Sequence, residues 1–276
     1  MAILGSRAAA RASTAIVLGL ALTATGAASA MSSSAYGIQA DFTYQHIATG
    51  LGPIGSVSGA APPGYAKTVN LGPFHQTVPI VPDTAFVPTL IANTASMKTH
   101  VTANGIAVDS ASAEGDATVK GLDLSLVVNP PPGSLAPVLE LLHVTAGRVT
   151  VDTSFVRALP GPLAANSTAS FVGLTISGPL VGNQTIKFTG DAPNNMVLFQ
   201  SPTLTITVNN KLMAGVISCT PKCTFSPVSV TGSALDIALT NADLGGKSVS
   251  GDIVVAEARA GTSGLSARTD AFVTGK

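Results

Sequence analysis

The chain has no tryptophan, only three tyrosines, and charged residues over just 10% of its length. Each shortage excludes something. Without aromatic platforms a cleft has little on which to stack a sugar ring. That weighs against a glycosidase or carbohydrate module, and Glu114, Glu140 and Glu257 are the only glutamates a glycosidase could use. No two Lys or Arg residues are adjacent, which argues against a nucleic-acid footprint or a polybasic membrane patch. There is no G-x-S-x-G elbow, because Gly55-Ser56-Val57-Ser58-Gly59 places valine where the nucleophile belongs. The four histidines, His46, His75, His100 and His143, stand far apart with no H-x-H or HExxH spacing. No phosphate-cradling glycine motif occurs, and no cofactor is expected.

Cys219 and Cys223 are the only cysteines. Zinc takes four ligands, and no third thiol or nearby histidine completes a set. The pair reads as a disulfide of an oxidising compartment. The enclosed loop is so short that chain entropy gives about 2 kcal/mol, enough to stiffen a turn.

Residues 1–30 read as a cleaved signal peptide. Arg7 and Arg11 form a basic start, Ala15 to Ala24 an apolar centre, and Ala28-Ser29-Ala30 a small-residue cleavage site. The apolar run is too short for a spanning helix, and no later stretch approaches the necessary length, so no transmembrane segment is expected in the mature chain. Removing two of the 14 basic residues, against 14 acids, leaves a formal charge of −2. With 46% hydrophobic residues, the surface must be covered largely by Ser, Thr, Asn and Gly. Such a surface suits an exported protein that works by contact, with other surface proteins or with itself.

The remainder reads as strands. Tyr36, Ile38, Ala40, Phe42 and Tyr44 share one face of a strand, with His46 continuing it. Prolines from Pro53 to Pro88 forbid long helices, and Thr77–Val81 fits an edge strand. Asn104-Gly105 is a type I′ hairpin signal. Leu122, Leu124 and Leu126 alternate with Asp123 and Ser125 until Pro130-Pro131-Pro132 stops the strand. Leu135 to Val144 fits a short helix or a strand. Leu204, Ile206 and Val208 alternate with threonines and lead through the cysteine turn to Leu235, Ile237, Leu239 and then Ile253 to Ala260. Glu257 and Arg259 share a strand face with Ile253 and Val255, as a charge pair at an exposed strand end. The fold class expected is all-β: a β-sandwich of antiparallel sheets with many short strands, over 31–262, followed by a flexible tail at 263–276. An echo between Ala117–Leu126 and Ala169–Gly178 keeps a β-solenoid or β-roll as the alternative.

One acidic cluster, Asp109, Glu114 and Asp116, offers oxygen ligands at short spacing for a metal, calcium in an exported protein. It lacks the EF-hand pattern and the glycine-aspartate nonapeptide repeat, and a solvated acidic loop is the better account.

Ala35-Tyr36-Gly37, Ser167–Gly178, Ser233–Leu239 and Ser250–Gly261 together resemble the choice-of-anchor P family of exported bacterial proteins. The resemblance spans roughly Ala35 to Gly261. It implies a secreted domain whose surface attachment varies between members, and it implies no catalytic residues. Asp236 departs from the family pattern, where a histidine is expected, and no sorting signal follows Gly261. The functional expectation is a secreted or cell-surface, non-catalytic structural or interaction protein. A binding module for calcium or a small apolar ligand and an extracellular hydrolase with a non-local site remain as alternatives.

Overall fold

The computed structural model describes residues 31–81, 86–104, 110–158, 163–219 and 223–262. Residues 1–30 and 263–276, Asp109, Gly105, Pro160 to Pro162 and the side chains of Cys219 and Cys223 lie outside the described residues. Fifteen strands follow one another: β1 (Met31–Tyr44), β2 (Ile47–Ile54), β3 (Val57–Ala61), β4 (Tyr65–Leu71), β5 (Phe74–Pro79), β6 (Val87–Thr94), β7 (Ser96–Asn104), β8 (Ser110–Asn129), β9 (Leu139–Ala158), β10 (Leu163–Ser177), β11 (Ile186–Ala192), β12 (Met196–Gln200), β13 (Leu204–Cys219), β14 (Cys223–Asp243) and β15 (Ser248–Thr262). The only helical element among the described residues is a 3-10 turn at Pro179–Val181.

The strands form two antiparallel sheets packed face to face. The seven-stranded sheet runs β12-β13-β14-β15-β1-β2, with β3 also on β1. The eight-stranded sheet runs β11-β10-β9-β8-β6-β5, with β7 on β8 and β4 outside it. This is the expected all-β sandwich. Neither sheet rolls into a solenoid, so that alternative falls. Proline-ended β5 is an edge strand of its sheet, where a missing N–H costs no ladder bond. Leu135 is fully exposed in an irregular stretch and β9 begins only at Leu139; Pro137 disfavours a helix there.

Side chains do not alternate in and out along whole strands. In β8 the buried residues are Ala117 and Val119, then Leu122 and Leu124. The same one-residue shift occurs between Ala146 and Val149 in β9, Phe171 and Leu174 in β10, Val255 and Ala258 in β15, and Ala35 and Ile38 in β1. The shifts line up across each sheet. Gly121 and Gly147 sit between the pairs Lys120–Arg148 and Leu122–Ala146, and Gly173 lies opposite Gly147 on the next strand. In the other sheet Ala256 lies between Glu257 and Val255, which pair with Tyr36 and Ile38 of β1. Left-handed backbone causes the shifts on alternate strands: φ is 60° at Gly121, 64° at Gly173, 50° at Asn209 and 54° at Ala256. A left-handed residue turns two successive side chains to the same side. Each sheet therefore carries a transverse crease. The echo seen in the sequence is this crease on β8 and β10, two parallel-running strands that flank β9.

The creases divide the sandwich into two halves. The broad half is filled by Phe42, Ile38, Leu124, Leu126, Leu142, Leu174, Ile206 and Ile237. The closed half ends in a cluster of eight buried residues, of which five are alanine. There the sheets nearly touch. A Cβ on Gly115 would lie 3.1 Å from the carbonyl oxygen of Arg259 and 3.2 Å from that of Ser34, both in the opposite sheet. One on Gly232 would overlap the Ser167 hydroxyl. Packed sheets are usually ~10 Å apart. The approach also brings polar groups across: Ser33 Oγ donates to Thr102 O (3.0 Å), Thr99 Oγ1 to Gly55 O (2.6 Å) and Tyr65 Oη to Gly59 O (2.7 Å).

Three expectations are corrected, the first two by the crease. Tyr36 is not on the face of Ile38 and Phe42, because the inward series shifts at Gly37. Glu257 and Arg259 do not share the face of Ile253 and Val255, because it shifts at Ala256; nor is the pair exposed, since Glu257 is 1% exposed. His46 does not extend the strand but stands in the turn before β2, with φ 72°.

Candidate functional site: the outer face of the eight-stranded sheet

Four cross-strand rows cover the solvent face of β7 to β10. Beside the crease lies Ser96–Lys120–Arg148–Val172. Next come Lys98–Thr118–Thr150–Ser170, then His100–Asp116–Asp152–Thr168, then Thr102–Glu114–Ser154–Asn166. Period-two alternation puts these residues outward, and the meander of long hairpins puts them in register.

The first two rows line an open groove of about 580 Å³ that contains Lys98, Lys120 and Arg148. None of the three forms an ion pair with the described residues; the three ion pairs found lie elsewhere. Lys120 and Arg148 face each other directly. Like charges opposite one another destabilise a strand pair. The hydroxyls of Thr118, Thr150 and Ser170 surround them, with Thr118 Oγ1 donating to Thr150 Oγ1 at 3.5 Å.

The next rows carry the opposite sign. Asp116 and Asp152 are direct cross-strand partners in a hollow of about 160 Å³ shared with His100 and Glu114. Burial holds the Asp116 carboxyl above the ordinary aspartate value; Glu114 adds to the rise, while His100 and Lys98 oppose it. Burial raises Asp152 too, followed by repulsion from Asp116. His100 Nδ1 meets Thr68 Oγ1 at 2.7 Å.

Of the suspected metal ligands, Glu114 and Asp116 lie two apart on this face and Asp109 is outside the described residues. Among the described residues no group of three acidic, histidine or cysteine side chains has metal-holding geometry. Asp152 and the three cations did not stand out in the sequence; the place of Asp152 beside Asp116 depends on the register of β8 with β9. Their signal was the outward position of each in its strand, readable only once the crease is known.

Two more histidines find partners. His75 bonds Asn93. His143 Nε2 lies 3.0 Å from Asp123 Oδ1, and Ser125 stands opposite His143 in register. The Ser125 hydroxyl nevertheless donates to Glu140 Oε1 at 2.8 Å, so it is directed at a carboxylate and not at the imidazole. A serine nucleophile needs its proton held by the base that will take it. Cys219 and Cys223 are register partners at the end of the β13–β14 hairpin. No family model, no curated protein and no solved structure matches this chain.

Proposed function

We propose that this is an exported, non-catalytic interaction protein of the secreted or cell-surface kind, whose contact surface is the outer face of the eight-stranded sheet and whose partner is acidic. The carrying observation is the groove with Lys98, Lys120 and Arg148, three cations that form no ion pair with the described residues, two of them directly opposed. An acidic partner surface would neutralise them. Electrostatic complementarity of this kind sets partner choice and encounter rate more than raw affinity. The row of Asp116 and Asp152 beside it makes a second copy of the chain one such partner, because two faces can offset basic row against acidic row.

The signal-peptide pattern and the paired cysteines support export, and the resemblance to choice-of-anchor P proteins agrees with it. We infer a disulfide between Cys219 and Cys223: antiparallel partners have Cα atoms ~4.5–5.5 Å apart, within the span a disulfide bridges. Mass spectrometry of the secreted chain should show two hydrogens fewer than the dithiol; full labelling by a thiol reagent without reductant contradicts the bond. The direction of the Ser125 hydroxyl and the exposure of the Asp123–His143 pair support the absence of catalysis.

The test is retention on a sulfated-polysaccharide matrix at low salt. Wild type should be retained and released as salt rises, because ions screen exposed charges beyond ~10 Å at 0.1 M. Lys120→Glu with Arg148→Glu should flow through. Equal retention of the double variant, or none by the wild type together with strictly monomeric light scattering at high concentration, removes the proposal.

A further inference from the structure

We propose that the seven-stranded sheet holds a separate binding site for a small organic carboxylate, built around Arg259 and Glu257. The crease at Ala256 turns both side chains to the outer face of β15. Inward Ala258, whose Cβ approaches Gly115 of the opposite sheet, fixes that orientation. The Glu257 carboxylate is 1% exposed and fully engaged: Ser233 Oγ donates to Oε2 at 3.1 Å and Arg259 Nε to Oε1 at 2.9 Å. A desolvated carboxylate is costly unless it is paired and hydrogen-bonded, and removing its partner leaves a buried charge. Glu257 therefore holds the guanidinium in place.

Only Nε of Arg259 is used in this way. The Nη groups make no hydrogen bond with the described residues, and Arg259, 23% exposed, lines a groove of about 320 Å³ with Tyr36, Gln39, Pro53, Ser56 and Val57. A guanidinium positioned by a buried acid, with its outer edge turned to a groove, presents parallel N–H donors to a planar acceptor. Support of this kind is what keeps a binding group in productive geometry.

The groove also sets the ligand class. Glu257 already neutralises Arg259 and no second cation among the described residues lines the groove, so Coulomb attraction does not select a phosphate or sulfate dianion. Directional hydrogen bonds select a planar monoanion. Pro53, Val57 and the Tyr36 ring offer an apolar wall, and about 320 Å³ is at the lower end of small-molecule sites of ~300–1,000 Å³. The ligand is a monocarboxylate with a short apolar body, either a free acid or the C-terminal end of a peptide.

Nitrogen-15 chemical-shift titration of the full mature chain tests this, with phenylacetate as probe and phenylacetamide as its neutral isostere. Phenylacetate should give saturable shifts at Tyr36, Ser56 and Arg259 in the millimolar range. Phenylacetamide should bind about tenfold or more weakly, the loss expected when a charge-assisted hydrogen bond is replaced. Arg259→Lys keeps the charge opposite Glu257 but not the fork, so it should remain folded and lose the binding. If that variant does not fold, Ser56→Trp, which fills the groove without touching the ion pair, should abolish the shifts. N-acetylphenylalanine binding more tightly than phenylacetate identifies a chain end as the source; the reverse identifies a free acid. The absence of saturable shifts, equal binding of acid and amide, or unchanged binding by either variant overturns the proposal. Lys120→Glu with Arg148→Glu lies on the other sheet and should leave this titration unchanged, so the two sites fail or stand separately.

Discussion

The broad and closed halves of the sandwich are built from the same strands yet held together differently. On one side of the creases, large aliphatic and aromatic side chains fill the space between the sheets, and apolar burial supplies the stability. On the other side, glycine, alanine, serine and threonine let the backbones approach, and cross-sheet hydrogen bonds become possible. Along β8 the packing changes from backbone contact across the sheets at Gly115 to contact between large side chains at Leu124 and Leu126. The comparison teaches that a sandwich need not be filled evenly, and that a line of left-handed residues is enough to change its filling. It also explains where charge ends up. Lys120 and Arg148 on one sheet, and Glu257 on the other, all stand beside a crease.

The largest effect should come from truncation in the broad half. Leu124→Ala removes a fully buried side chain from a cluster of large neighbours and should cost ~2–5 kcal/mol, measured by urea unfolding. A loss below ~1 kcal/mol would mean that the broad half is loosely filled. In the closed half the corresponding loss is polar. Tyr65→Phe leaves the Gly59 carbonyl and the Ser33 N–H without the hydroxyl each uses, at 2.7 and 2.8 Å. An unsatisfied buried group costs ~1–3 kcal/mol, so this variant should be destabilised although it keeps its ring.

The crease itself is tested by two substitutions of one kind. Gly121→Ala and Gly173→Ala both force a Cβ into left-handed backbone, at ~1–2 kcal/mol. At Gly121 the new atom also meets Ala95 Cβ at 2.7 Å, whereas at Gly173 nothing lies within 4 Å. Gly121→Ala should be the more destabilising of the two by thermal melting. The reverse order would place the crease elsewhere.

A smaller effect should follow pH. Asp116 and Asp152, over the closed half, are both held above the ordinary aspartate value of 3.8. A group whose pKa is higher in the folded than in the unfolded chain contributes stability that is full below the unfolded value and lost as pH rises through the folded value. Stability contributed by this pair should therefore decline from about pH 4 upward. Asp152→Asn removes the opposed charge and should reduce that decline, making the variant more stable than wild type at neutral pH. An equal slope in both proteins would contradict the coupling.

Much of the fold was legible because most strands alternate strictly between breaks of Gly, Pro and Asn: Leu122 to Leu126 and Leu204 to Val208 lie inward as the pattern requires. What was not legible has one physical origin. Period-two counting carried across Gly37 and Ala256 puts Tyr36 with Ile38 and Glu257 with Val255, on the wrong faces. Ala256 gives no sign of its left-handed backbone, since alanine is an unusual choice there. The candidate site suffered similarly. Asp116 and Glu114 stood out as a local cluster, but Asp152 reaches Asp116, and Arg148 reaches Lys120, only through long-range register, which no local spacing encodes.

The central claim, that the sheets close until backbone meets backbone, is tested most directly by Gly115→Ala. Gly115 has no left-handed backbone to protect, and in a strand at ordinary sheet spacing the change should stabilise by ~0.5–1 kcal/mol. Here the added methyl meets two carbonyl oxygens held by their own ladders, those of Arg259 and Ser34. Urea unfolding should show Gly115→Ala to be less stable than wild type. A variant as stable as wild type, or more stable, would contradict a closed half.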